Sequence, residues 1–268
     1  MELWMGNLSS NGCLQMRSLN ASRLYKIYVF HIATGLKAFS DSRNQTLRKR
    51  INAVHLAEWT EKTREVTDNA TKVWIQIGGA AEAVSVCRAC NPDVLVVQGT
   101  DAGGHGLNHG ASVTSLLPEV CDSLYERVTL GELSEMPILL AAGGIADGRG
   151  VAATLVLGTE GVVMGTKYLA SEEAEILQGY KNDVLQTVDG GQTTVRCSVY
   201  DTLRGTTDWP EQYGGRGVIN QSYHDALNGI PREENKRLYA EAVRMGDKGW
   251  GGVQGNRMTY AGTAVGLV

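Results

Sequence analysis

Phenylalanine and proline are scarce in this chain, at two and five in 268 residues, while glycine reaches 33. That balance suits a fold with repeated tight turns at strand ends. Basic charge is not in excess either. With 25 Lys and Arg against 29 Asp and Glu, the net charge is −4, and nothing attracts nucleic acid or an anionic membrane surface. Long apolar runs are missing. The longest near the N-terminus, IYVFHIATGL at 27–36, is too short to span a bilayer. MELWMGNLSS lacks a basic stretch followed by an apolar one, so no secretory signal is expected. Cysteines stand at 13, 87, 90, 121 and 197. Their odd count and scattered spacing argue against a disulfide framework and for a reducing compartment, the cytoplasm. Without an export signal, the Asn-x-Ser/Thr sequons at Asn7, Asn20, Asn44, Asn69 and Asn220 are read as chance matches.

What is present is ordinary for a soluble globular chain, with 43% apolar and 20% charged residues. The length allows one sizeable core, or one domain with an appendage. Residues 1–50 show no clean period and are expected to be irregular, with LYKIYVF at 24–30 as a candidate strand. A helical pattern runs from Asn52 to Val66. Residues 51–187 then alternate regularly between strands near 72–78, 94–99, 137–142 and 161–166 and helices between them. The continuous apolar run of VLVVQG is what a strand covered on both faces requires. Ser115 and Pro118 suggest the start of the second helix, and Asp147 a cap for the third, whose inward stripe is expected to be Val151, Ala152 and Leu155. A further helix is expected over Glu172–Gln186. Four such βα units with right-handed crossovers give adjacent parallel strands. Residues 188–268 are polar, Gly-rich and Trp-bearing, and form a C-terminal appendage with a helix near Glu233–Arg244.

Chemistry concentrates in the turns after the strands. AAGGIADGRG at 141–150 places Gly143 and Gly144 at one strand end, just before a helix, and Gly165 and Thr166 end the next strand. Glycines let backbone N–H groups approach an anion, a helix N-terminus adds its dipole, and Thr166 adds a hydroxyl. Two adjacent strand ends of this kind predict a phosphate cradle, and the last two strands of a (β/α)8 barrel are where one is usually built. GTDAGGHG at 99–106 carries His105, the one side chain in these turns that moves protons near neutral pH. A metal is not expected: His105 and His109 have helical spacing in a sequence too Gly-rich for a helix, with no thiolate or carboxylate cluster beside them. Cys87 and Cys90 form a CxxC late in a helix, on its apolar stripe, and are read as core.

QGTDAGGHG, PILLAAGGIADGRGVAATLVLG and GVVMGTKYL together resemble the nitronate monooxygenases, formerly called 2-nitropropane dioxygenases. WIQIG at 74–78 and the tail from GGQTTVR to YAGTAVGLV are similar to the fungal branch. The resemblance covers roughly residues 51–268. It implies an α/β fold of the FMN-type (β/α)8 TIM barrel, with the four units here matching its C-terminal half. It implies FMN as cofactor, His105 as catalytic base or substrate-orienting residue, and Gly143, Gly144, Gly165 and Thr166 around the FMN phosphate. Gln98, Gly99 and Gly103 would line the flavin ring. The substrates implied are a small nitro or nitronate compound and O2, and the products a carbonyl compound and nitrite.

Two alternatives stay open at this level. NAD(P)H-dependent FMN reductases of the enoyl-thioester or quinone type share the AGGH and AAGGI turns, although the fungal-type tail favours nitronate oxidation. An inactive half-barrel acting as a binding or assembly module is the other. The resemblance also implies about four βα units ahead of those seen, which residues 1–50 are expected not to supply. Four strands cannot close a barrel, so weak FMN binding, aggregation or a homodimer that covers the gap is expected.

Overall fold

Continuous β-branched runs with period-two burial build the central sheet. In a computed structural model that describes residues 4–8, 14–18, 28–31 and 53–268, five strands pair in parallel. They are β3 (Tyr28–His31), β4 (Val73–Ile77), β5 (Val94–Gln98), β7 (Ile138–Ala142) and β8 (Gly161–Val163), in that spatial order. Ile75 registers with Leu95, Leu95 with Leu139, and Ala142 with Val163. Residues 1–50, expected to be irregular, thus contribute β3 to the sheet. They also hold a hairpin of β1 (Trp4–Leu8) and β2 (Leu14–Ser18).

One sheet face packs on helices α1 (Ala53–Val66), α2 (Ala80–Cys90) and α3 (Val113–Thr129). Val73, Ile75, Ile77, Leu95, Val97, Leu139 and Ala141 point that way and meet Leu56, Ala83, Val86, Leu117, Val120 and Leu124. Fully burying such a side chain contributes about 1.5–3 kcal/mol. The opposite face carries a smaller cluster of Val94, Val96 and Ala142 with Trp74, Leu140 and Val163. Cys87 and Cys90 are buried in the helical layer, and desolvation, with Cys90 beside it, pushes the Cys87 thiol up to about 12. That is an inert core cysteine. Asp93 ties the start of β4 to that of β5, accepting from the Val73 N–H at 2.9 Å and the Lys72 ammonium at 2.7 Å. Burial works against its charge, but these bonds and Arg64 outweigh burial and hold its carboxyl below the usual value.

Three helices differ from the sequence expectation. The helix α3 begins at Val113, after Ser112, so Pro118 lies inside it rather than at its start. In α4 (Gly148–Val156), Asp147 does cap, accepting from the N–H groups of Arg149 and Gly150. The inward residue is Thr154, flanked by Val151, whereas Leu155 is exposed and Ala152 faces outward. Thr154 can be buried because its hydroxyl returns to the carbonyls of Gly150 and Val151, at 3.1 and 3.0 Å. Further on, the helix expected over 172–186 is shorter: α5 (Thr166–Leu169) precedes it and α6 spans Gln178–Gln186.

A second sheet was not foreseen. The glycine turn after β5 continues into β6 (Gly104–Leu107), which pairs antiparallel with β10 (Tyr213–Val218), itself antiparallel to β9 (Thr194–Cys197). The short helices α7 (Gly190–Thr193), α8 (Val199–Arg204) and α9 (Gln221–Leu227) and the longer α10 (Arg232–Arg244) complete the appendage. No helix among the described residues is long and apolar enough to cross a membrane.

Candidate active site

Glycine-rich strands have few side chains to bury, so what fixes them must come from elsewhere. Here it comes from two arginines of the appendage. Arg196 on β9 donates to the carbonyls of Gly104 (2.9 Å), Gly214 (2.7 Å), Thr100 (3.2 Å) and Ala102 (2.6 Å). Arg216 on β10 donates to the Thr100 carbonyl at 3.1 Å and to Thr194 Oγ1 at 3.2 Å. Burial, with Arg216 alongside, pulls the Arg196 guanidinium down to about 10. Both arginines thus hold the carbonyl side of residues 100–104.

His105 sits on β6 opposite Gly215 of β10, which is in turn opposite Cys197 of β9. From the first turn of α8, Asp201 places its carboxylate against the ring. Nε2 of His105 lies 2.8 and 2.9 Å from the two Asp201 oxygens. Side-chain exposure is 14% for His105 and 6% for Asp201, so water screens this contact little. Thr206 donates its hydroxyl to the same carboxylate at 3.0 Å, and the Tyr260 hydroxyl approaches it at 3.5 Å. The Trp209 ring stacks on the imidazole, with centroids 3.7 Å apart and planes 4° apart, while Tyr260 packs at 58° and 5.6 Å. A Cβ on Gly215 would fall 2.7 Å from the Tyr260 ring, so only glycine lets that tyrosine in. Burial, then the Asp201 charge, pushes the Tyr260 hydroxyl up to about 12, which keeps it a donor.

The other sequence-predicted residues gather at the C-terminal edge of the parallel sheet. Gln98 ends β5 and registers with Ala142, and its amide donates to the His105 carbonyl at 3.2 Å. Gly143 and Gly144 follow Ala142, and Gly165 and Thr166 lie just beyond its partner Val163. Gly143 and Gly144 both have positive φ, at 99° and 74°. The N–H groups of Gly144 and Gly165 donate to no acceptor among the described residues. A Cβ on Gly165 would meet nothing within 4 Å. Thr166 Oγ1 accepts from the Gly262 N–H at 3.0 Å, which leaves its own proton to give. The first turn of α4, by contrast, is already served by Asp147, so a phosphate here would rest on the glycine turns rather than on that helix end.

Gly99 and Gly103 are glycines for reasons inside the chain. A Cβ on Gly99 would lie 2.4 Å from the Val113 nitrogen, and one on Gly103 2.6 Å from the Ala261 carbonyl carbon. The C-terminal tail closes on the same loop: Thr263 donates from its N–H to the Asp101 carbonyl at 3.0 Å and from its hydroxyl to Asp101 Oδ1 at 2.9 Å. Sequence reasoning missed Asp201, Trp209, Tyr260 and both arginines. Two surface clefts, of about 410 and 500 Å³, lie elsewhere, beside Arg64 and Cys90 and beside Val218 and His224.

A family model described as nitronate monooxygenase matches residues 30–206. The chain is 46% identical over 221 residues to the nitronate monooxygenase npaC of Metarhizium robertsii, a match that covers 82% of this chain and 59% of that protein. It is 41% identical over 196 residues to a nitronate monooxygenase of Neurospora crassa, covering 73% of this chain and 49% of that protein. It therefore spans about half to three fifths of the length of these curated relatives. Among solved structures, FabK from Thermotoga maritima superposes with a TM-score of 0.56 at 24% identity, over 78% of this chain and 59% of that one. The nitroalkane oxidase from Streptomyces ansochromogenes does so with 0.56 at 20% identity, over 78% and 56%. These two likenesses concern the fold.

Proposed function

Since the chain belongs to the nitronate monooxygenase family, we propose that its site serves FMN-dependent oxidation of alkyl nitronates, and of their parent nitroalkanes, by O2 to carbonyl compounds and nitrite. The observation that supports this is that Gln98, on the sheet edge that also bears Gly143, Gly144, Gly165 and Thr166, donates to the carbonyl of His105, whose ring Asp201 backs.

The residues present fit a phosphate-bearing flavin. The free N–H groups of Gly144 and Gly165 and the hydroxyl of Thr166 are donors without enough protein acceptors, and the open space at Gly165 is where a side chain would intrude. These residues, with Gly143, would hold the phosphate. Gln98, Gly99 and Gly103 would line the ring. Bound FMN would supply the electron-accepting chemistry.

His105 manages the proton. A neutral nitroalkane must lose its α proton before oxidation, and His105 would take it; a nitronate arrives without that proton. A positioned general base contributes about 10²–10⁴-fold. Protonated His105 would then hold the nitronate oxygens through the positive charge it has gained. Trp209 and Tyr260 shield the ring, so that the proton is not shared freely with water. The thiols of Cys87, Cys121 and Cys197, which form no disulfide among the described residues, suit a reducing, cytoplasmic setting.

The test is flavin quantitation on the purified chain with and without added FMN, followed by nitrite release from an alkyl nitronate under air. Bound FMN with nitronate-dependent nitrite supports the reading; no FMN uptake at saturating concentration removes it.

A further inference from the structure

We propose that Asp201 is the positioning residue of His105, holding the imidazole as its Nε2–H tautomer so that Nδ1 is the nitrogen that takes the substrate proton; this rests on the assignment of His105 as the base.

Both oxygens of the Asp201 carboxylate lie within 2.9 Å of Nε2. An ionised carboxylate offers only acceptors, so the ring nitrogen facing it must be the donor. The neutral imidazole has one donor and one acceptor nitrogen, and fixing the first fixes the second. Nδ1 has no hydrogen-bond partner among the described residues and is not among their buried unpaired atoms, so its lone pair is reachable. Further contacts make the arrangement rigid. Stacking on Trp209 sets the plane of the ring, and Asp201 then decides which edge faces inward. Pairing of β6 with β10, and the Arg196 bond to the Gly104 carbonyl, fix the backbone that carries the ring. Thr206 and Tyr260 orient the carboxylate itself. When Nδ1 takes a proton the ring becomes cationic, and Asp201, 6% exposed, stabilises that charge at short range. The carboxylate does not receive the proton; it sets the tautomer and the charge balance.

The proposal separates the two nitrogens, and nitrogen NMR reads them individually. The full-length chain, labelled with 15N-histidine, should show His105 at neutral pH with a protonated Nε2 and a bare Nδ1. The Nε2 proton should be shifted downfield and exchange slowly with water. In Asp201→Asn the downfield proton should vanish and the Nδ1–H tautomer should rise, because an amide can present a donor to Nε2. Asp201→Glu should restore part of the Nε2–H signal. A wild-type His105 protonated at Nδ1, or an Nε2 proton that exchanges as fast as that of an exposed histidine, overturns the proposal without any variant. So does an Asp201→Asn spectrum like wild type. If Asp201→Asn does not fold, the wild-type tautomer and exchange rate decide alone. The outcome is independent of the functional reading. The expected tautomer in a chain that oxidises no nitronate discards the function and keeps the Asp201 assignment. The wrong tautomer in an active chain does the reverse.

Discussion

Arg196→Ala tests how the appendage builds the site. The guanidinium spans four carbonyls, those of Gly104, Gly214, Thr100 and Ala102, between 2.6 and 3.2 Å. Each bond from a charged donor is worth about 1.5–3 kcal/mol net, and four together are not additive. Against them stands the cost of burying the cation beside Arg216, which pulls its pKa down to about 10. The carbonyl of Thr100 keeps a second donor in Arg216, so it is not orphaned. The balance is a loss of about 3–5 kcal/mol, the range for breaking a buried charged network by removing one partner. Arg196→Lys should recover part of it, since an ammonium has three donors and cannot span four acceptors. Urea denaturation followed by tryptophan fluorescence reads both numbers, and Trp209 reports on the His105 loop directly. A loss below about 1 kcal/mol with unchanged m-value would show that the loop holds its shape without the arginine, and the clamp argument would fail.

Four other variants test the structure elsewhere. Gly99→Ala drives a Cβ to 2.4 Å from the Val113 nitrogen and should cost about 3 kcal/mol or prevent folding. Gly165→Ala has open space and negative φ, so its denaturation midpoint should hardly move; equal midpoints for the two variants would refute the packing account. Gly144→Asp puts a β-carbon 3.0 Å from that of Asp101 at positive φ and a second carboxylate beside the cradle. FMN fluorescence quenching should show binding lost, and unchanged affinity would remove Gly144 from the site. Asp93 has a carboxyl held below its ordinary 3.8. Its contribution to stability is therefore complete above pH 3.8 and is lost as pH falls through the lower folded value. Asp93→Asn should reduce stability at neutral pH and flatten the acid limb of a stability–pH curve; a limb as steep as wild type would place its origin elsewhere.

The parallel half of the fold was legible because its signals are local. VLVVQG and PILLAA are apolar runs that end in glycine pairs, and Asp147 stands where a cap must stand. The antiparallel sheet was not legible, because GHGL and YGGRGV carry no apolar period. Their order comes from Arg196, Arg216 and the Tyr260 ring, contacts that only the folded chain creates. In α4 the apolar pattern pointed to Leu155, but a threonine that satisfies its own hydroxyl can be buried in its place. His105 could be found from its glycine setting and its place after a strand. Asp201, 96 residues further on, could not, because nothing in DTLRG marks it as a partner until β9 and β10 bring α8 over the ring.

The central claim is that His105 acts as a base beside a flavin site. It is tested most directly by the rates of FMN-loaded protein on one compound offered in two forms, as neutral nitroalkane and as preformed nitronate, before and after His105→Asn. The account predicts retained FMN, a loss on the order of 10²–10⁴-fold with the neutral form, and a much smaller loss with the nitronate. Equal losses on both forms would contradict it and leave His105 as a binding residue.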